Sequence, residues 1–143
     1  MTTTDAAAEA PSAGPQMLGG VVPHMTLSDA NAASAFYQRA FGAVEVGRIP
    51  ADDGKRLIHC HLHLNGGSLT IMDRMREQDP EGPPQGFDLI LSVDDIDAWW
   101  DRAVEAGAEV VMPVQKMFWG DRYGQLKDPF GVLWSLDEPG QPG

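Results

Sequence analysis

A single cysteine, Cys60, stands in the 143 residues of this chain. An intrachain disulfide is therefore impossible, and a small secreted scaffold stapled by disulfides is excluded. Positive charge is also scarce. Ten Lys and Arg face 21 Asp and Glu, a formal net charge of -11. Sequence-independent binding to nucleic acid or to an anionic membrane needs clustered Lys and Arg, so neither partner is expected. No apolar run approaches the ~20 residues that cross a bilayer. The start, M-T-T-T-D-A-A-A-E-A, lacks the basic residues and apolar core of a secretory signal, and a cytoplasmic location is the expectation. Residues 1–18, rich in Ala, Thr, Pro and Gly, read as a disordered tail, and 138–143 as a loose end.

What remains is one domain, 19–137, large enough to bury roughly two-thirds of its unfolded surface. It contains a duplication. Asp29 and Asp94 each precede a Gly-Ala pair, Gly42-Ala43 and Gly107-Ala108, by thirteen residues, and each opens a helix-like stretch. Ser28 or Asp29 can cap the first helix and Asp94 or Asp95 the second, while the glycines supply the left-handed stop. Ala33, Phe36, Ala40 and Phe41 form one apolar stripe, and Ile96, Trp99, Trp100 and Val104 another. Such stripes pack a helix on a sheet.

Around these helices the chain reads as strands at 20–27, 43–49, 56–64 and 68–73, and again at 87–93, 108–112, 123–127 and 132–136. Helices are expected at 30–41 and 95–106. The Pro- and Gly-rich stretch within 74–86 links the halves. Asn65-Gly66-Gly67 supplies a hairpin, and Asp128-Pro129-Phe130-Gly131 a type I turn. Each half is β-α-β-β-β, module one at 20–73 and module two at 87–137, so the fold class is α+β.

Strand alternation then places the polar side chains. In R-L-I-H-C-H-L-H-L (56–64), Ile58, Cys60, Leu62 and Leu64 point one way. Leu57, His59, His61 and His63 point the other, with neighbouring imidazoles about 6–7 Å apart along the strand. His24 shares a face with Val22 and Thr26, and Asp88 with Ile90 and Ser92. All four histidines thus fall opposite the helix-packing side, where they would line a ligand pocket. Imidazoles two apart on a strand also suit a transition metal, so His24, His59 and His61 are candidate ligands for one divalent ion. Gly54, His59 and His61 approximate a cupin motif. The Glu that motif needs is absent, and two long helices do not belong in a jelly roll.

The run M-F-W-G-D-R-Y-G-Q-L-K-D-P-F-G-V-L-W-S-L (117–136), with V-P-H-M-T-L-S-D-A (22–30) and V-D-D-I-D-A (93–98), resembles the vicinal oxygen chelate superfamily. That group includes glyoxalase I, bleomycin-resistance proteins and extradiol dioxygenases, and the last run resembles its PhnB-like branch. The resemblance implies paired β-α-β-β-β modules forming a curved mixed sheet around a ligand cavity, with helices on the outer face. It also implies a homodimer and, in the enzymes, a metal site. The corresponding ligand positions are Val22, Thr70 or Met72, Asp88 and Ser135.

Within 118–123, Trp119 and Tyr123 offer an aromatic wall and Arg122 a partner for an anionic group. The alternative is structural: Asp121 and Arg122 pin the last hairpin and Trp119 enters the core. The expected ligand-binding residues are therefore His24, His59, His61, His63, Asp88, Trp119, Arg122 and Tyr123. Three functions fit. One is a small-molecule binding domain of the glyoxalase and bleomycin-resistance kind. Another is a metal-dependent lyase, isomerase or dioxygenase acting on adjacent oxygens, and the third is a dimeric accessory module.

Overall fold

Two aspartates start the two helices in the computed structural model, which describes residues 15–140. Asp29 accepts from Ala32 N at 3.0 Å and opens α1 (Ala30–Phe41); Asp95 accepts from Ala98 N at 3.2 Å and opens α2 (Ile96–Ala106). Gly42 and Gly107 end them at φ 72° and 118°, where a side chain would be strained. A second carboxylate holds each first helical N–H. Ala30 N donates to Asp73 Oδ1 at 2.8 Å, and Ile96 N to Glu138 Oε1 at 3.0 Å. Asp73 and Glu138 are the last residues of the fourth strand of their respective modules.

The strands are β1 (His24–Leu27), β2 (Val44–Pro50), β3 (Leu57–Leu64) and β4 (Gly67–Asp73), then β5 (Leu89–Ser92), β6 (Glu109–Lys116), β7 (Arg122–Lys127) and β8 (Leu133–Glu138). They form two four-stranded sheets, β1-β4-β3-β2 (sheet A) and β5-β8-β7-β6 (sheet B), among the described residues. β1 pairs β4 and β5 pairs β8 in parallel; the other pairings are antiparallel. The α+β class and its two repeated modules are thus observed, as two separate mixed sheets with no closed barrel.

Three expectations shift at element ends. β6 was expected to stop at 112 but continues through Pro113 to Lys116. It is an edge strand with register shifts around Met112, and a missing N–H is tolerated there. At the start of β3 the alternation slips by one. Leu57, expected beside the histidines, lies in the core, and Ile58 is exposed, where β2 changes register between Ile49 and Pro50. In α2, Ala103 is buried and Val104 exposed, so Val104 leaves the packing stripe. Of the tails expected at 1–18 and 138–143, residues 1–14 and 141–143 lie outside the described residues, while Glu138 ends β8 and Leu18 hydrogen-bonds with Ser68 of β4.

The core joins the modules. Met25, Leu27, Cys60, Leu62 and Ile71 from sheet A meet Phe36, Tyr37, Ala40 and Phe41 of α1. α1 also reaches sheet B: Tyr37 stacks edge-on to Trp134 at 5.3 Å, and Phe36 to Phe130 at 6.2 Å. Asp128 ties this junction. Its Oδ2 accepts from Tyr37 OH at 2.6 Å and Trp134 Nε1 at 2.9 Å; its Oδ1 accepts from Phe130 N and Val132 N. Burial, then the neighbouring carboxylate, hold the Tyr37 phenol well above its ordinary pKa. On the other helix, Trp100 rests on Gly124 of β7, where a Cβ would stand only 2.6 Å from the indole.

Candidate functional site

The polar face of sheet A is built by register. His24, Thr70, His61 and Gly47 lie side by side across β1, β4, β3 and β2. His24 Nδ1 is 2.8 Å from Thr70 Oγ1, whose hydroxyl also donates to Pro23 O at 3.3 Å. That hydroxyl accepts from Nδ1–H, the arrangement that leaves His24 Nε2 free. His61 Nε2 lies 2.7 Å from Ser68 Oγ. His63 Nε2 donates to Gln16 O at 2.9 Å. Ring centroids are 6.4 Å apart for His59 and His61, and 5.0 Å for His61 and His63. Burial, then the neighbouring His63 and His59, hold His61 below the usual imidazole pKa, which favours its neutral form.

The four histidines thus share one face, but that face is not an open cavity. Residues 15–18 lie over His61 and His63, and His61 is only 3% exposed. His24 is exposed and borders a pocket of about 170 Å³ with Thr26, Pro84 and Phe87.

The donor set does not suit a metal within one chain. One ring nitrogen of each of His24, His61 and His63 is engaged, by Thr70, Ser68 and Gln16 respectively, which leaves the second nitrogen of each ring as the donor a metal would need. Among the described residues, no three His, Cys, Asp or Glu side chains gather closely enough to hold one ion. At the positions implied by the family resemblance, Thr70 and Ser135 offer neutral hydroxyls, and Asp88 the only carboxylate.

The polar face of sheet B is different. Asp88 Oδ2 makes a short hydrogen bond with Ser135 Oγ. Ser135 Oγ is 2.7 Å from Tyr123 OH, and Gln125 Nε2 donates to both hydroxyls at 3.3 Å. Proton counting orders the chain. Ser135 gives its hydrogen to the Asp88 carboxylate and accepts that of Tyr123. What the network leaves unused is acceptor: Asp88 Oδ1, Gln125 Oε1 and a lone pair of Tyr123. Trp119, half-exposed, stands edge-on to Tyr123 with ring centroids 6.1 Å apart, and Phe118 is 97% exposed beside it.

Asp88, Tyr123 and Trp119 are therefore brought together, whereas the histidines belong to the other sheet. Trp119 does not enter the core. Arg122 forms a two-pronged ion pair with Asp97 of α2 at 2.9 and 3.0 Å, so its guanidinium is matched to a carboxylate of the chain itself. The pair holds Arg122 above and Asp97 below their ordinary values. Beside the network, burial, then the hydrogen bond with Asp121, hold Asp137 above the usual carboxylate range. Gln125 and Ser68 escaped the sequence reading. Gln125 was findable, since alternation places it two residues from Tyr123 on the same face. An open pocket of about 580 Å³ lies elsewhere, at the ends of β5 and β8, lined by Asn65, Ser92, Trp99 and Glu138.

Comparison with known proteins agrees with this architecture. The protein Rv0887c of Mycobacterium tuberculosis, itself uncharacterised, is 43% identical over 126 residues, covering 82% of this chain and 72% of its own. The crystal structure of TioX from Micromonospora sp. ML1 superposes with a TM-score of 0.68 at 27% identity, covering 87% of this chain and 98% of TioX. A mutant of the fosfomycin resistance protein FosX from Listeria monocytogenes, complexed with Mn(II) and 1S,2S-dihydroxypropylphosphonic acid, superposes with a TM-score of 0.60 at 19% identity. It covers 84% of this chain and 90% of FosX, and it shows likeness of fold alone. The family model described as "Glyoxalase/Bleomycin resistance protein/Dioxygenase superfamily" matches residues 21–136, and the chain belongs to that superfamily.

Proposed function

We propose that this protein binds a small molecule on the polar face of sheet B and holds it without turnover. One observation carries the reading: Asp88, Ser135, Tyr123 and Gln125 form a directional hydrogen-bond network whose unused valences are acceptors, beside the half-exposed indole of Trp119. Such a surface accepts hydrogen bonds from a ligand's N–H or O–H groups while an aromatic ring covers its apolar part. The sheet A histidines, of which His24 is exposed and His59 half-buried, extend the candidate binding surface. No metal-dependent lyase, isomerase or dioxygenase step is assigned, because the donors described do not converge on an ion.

The reading includes a homodimer. Ile90 on sheet B and Ile49 on sheet A are 63% and 52% exposed, apolar area on faces that a second copy would cover. It also includes a cytoplasmic location. Among the described residues, no helix is long and apolar enough to cross a membrane.

The test is a ligand screen by thermal shift, followed by calorimetric titration of each hit against the wild type and Ser135→Ala. Hits are expected to bind near one per chain and to weaken ~10-fold or more in the variant, the loss of one charge-linked hydrogen bond. Hits indifferent to Ser135→Ala would displace the site from sheet B. Metal content by elemental mass spectrometry, on untagged protein reloaded with nickel, zinc, iron or manganese, provides the second arm. Near one ion per chain, lost in His59→Ala, would return the metal-dependent enzyme to the front.

A further inference from the structure

Sheet A carries an interaction surface apart from the Asp88 network, and the chain itself occupies it. Leu18 pairs with β4: Ser68 N donates to Leu18 O at 3.0 Å, and Leu18 N donates to Ser68 Oγ at 2.8 Å. From there toward the N-terminus the backbone turns across the sheet. Gln16 O accepts from His63 Nε2 of β3 at 2.9 Å. Pro15 reaches β2, where its Cγ lies 3.8 Å from the place a Cβ on Gly47 would occupy. Four residues thus cross β4, β3 and β2 in turn.

The crossing accounts for two burials that the sheet alone does not require. His61 and Ser68 sit on the polar face, yet they are 3% and 7% exposed. Their hydrogen bonding closes under the strap. Ser68 Oγ accepts from Leu18 N and has its own hydrogen to give to His61 Nε2. His24, on the same face but beyond the strap, is exposed.

The strap is held lightly for a buried contact. Three hydrogen bonds and one proline contact retain four residues near the start of the described chain, and Met17 is half-exposed. Segments with so few buried apolar contacts open at low free energy compared with global unfolding.

We infer that residues 15–18 form a strap that occupies the histidine face of sheet A and gates access to His61 and His63. With the strap down, the acceptor for His63 and the donor to Ser68 are supplied by the chain's own backbone. With it lifted, the same face offers His61, His63 and Ser68 to an incoming small molecule. The inference concerns the other sheet from the Asp88 network, so either can fail alone.

The experiment uses the full chain and diethyl pyrocarbonate, a small electrophile that attacks neutral imidazole, with peptide mass spectrometry to read each histidine separately. In the wild type, His61 is expected to react on the order of tenfold more slowly than His24. Its pKa lies low, so protonation cannot be the reason. Pro15→Cys combined with Gly47→Cys then offers a reversible lock, since residue 15 lies against Gly47: Pro15 Cγ stands 3.8 Å from the place of a Gly47 Cβ. Cys60 stays out of this chemistry, buried with its thiol pushed up to about 11.

Oxidation of the double variant is expected to slow His61 and His63 by on the order of a further tenfold and to leave His24 unchanged, and reduction to restore both. The reduced form of the same protein serves as the folding control. Equal rates for His61 and His24 in the wild type would overturn the strap. Equal His61 rates in the oxidised and reduced forms would overturn the gate.

Discussion

Sheet A and sheet B share one topology, one helix placement and one way of starting that helix, yet their polar faces have little chemistry in common. Sheet A presents imidazoles at His24, His59, His61 and His63, two of them under the chain's own residues 15–18. Sheet B presents a carboxylate and three neutral polar groups, Asp88, Ser135, Tyr123 and Gln125, joined by hydrogen bonds. Duplication conserves what the backbone needs, namely a cap, a glycine stop and a carboxylate at the end of the fourth strand. The outward residues of each strand are free of those duties, and the two copies have diverged there. Function on this scaffold is therefore a property of faces, and the fold alone does not choose between them.

The comparison breaks most completely at a buried residue that fastens the halves together. Asp128 is buried and takes four hydrogen bonds, two of them from Tyr37 of module one and Trp134 of module two. Asp128→Ala leaves a buried phenol and a buried indole N–H without their shared acceptor. The expected loss is about 3–5 kcal/mol, measured by urea unfolding with an unchanged m-value. A loss below ~1 kcal/mol would mean that packing of Phe36, Phe130 and Trp134, with the Arg102 bonds to Gln38 O and Arg39 O, joins the modules without Asp128.

A subtler asymmetry lies in the two helix-holding carboxylates. Asp73 Oδ1 takes Ala30 N and its Oδ2 takes Leu57 N at 2.7 Å, so it fastens both α1 and β3 to β4. For Glu138 the corresponding bond is to Ile96 N alone. Asp73→Ala should cost roughly 2–3 kcal/mol and Glu138→Ala roughly 1 kcal/mol. Equal losses would show that β3 does not depend on Asp73, and the modules would then be closer copies than their hydrogen bonds suggest.

How far these features could be read from the sequence follows from the range of the forces involved. The helix at 30–41 was legible residue for residue, because Asp29, the stripe through Phe36 and Ala40, and Gly42 all act within a few turns. Strand faces were legible wherever alternation held, which grouped the four histidines and set Asp88 apart from Leu89. What escaped was long-range or irregular. Tyr37 and Asp128 are 91 residues apart, and nothing local marks their bond. Arg122 carried no sign that Asp97 would claim it. The strap at 15–18 lies in a stretch whose composition reads as disorder, and it is held by contacts of its backbone and one proline ring, which leave little trace in residue type.

The acid response separates the modules on a finer scale. Glu45 of β2 accepts from Arg48, Ser34 and the Cys60 thiol, and its carboxyl is held down at about 2, chiefly by the Arg48 hydrogen bond. The ordinary value is 4.5, so the unfolded chain binds this proton first. The contribution is complete above 4.5 and is lost as the pH falls from there toward 2. Arg48 is partly exposed and screened, so the loss should be about 1–2 kcal/mol. In module two the analogous test is Asp97, whose carboxyl Arg122 also holds low, but this pair stands in solvent. Denaturant titrations at pH 7 and pH 3 should therefore show Glu45→Gln narrowing the pH difference in stability, and Asp97→Asn leaving it nearly as in the wild type. An equal effect from both variants would place the acid sensitivity in surface charge at large, because only Glu45 links its arginine to a helix and to the buried thiol of the neighbouring strand.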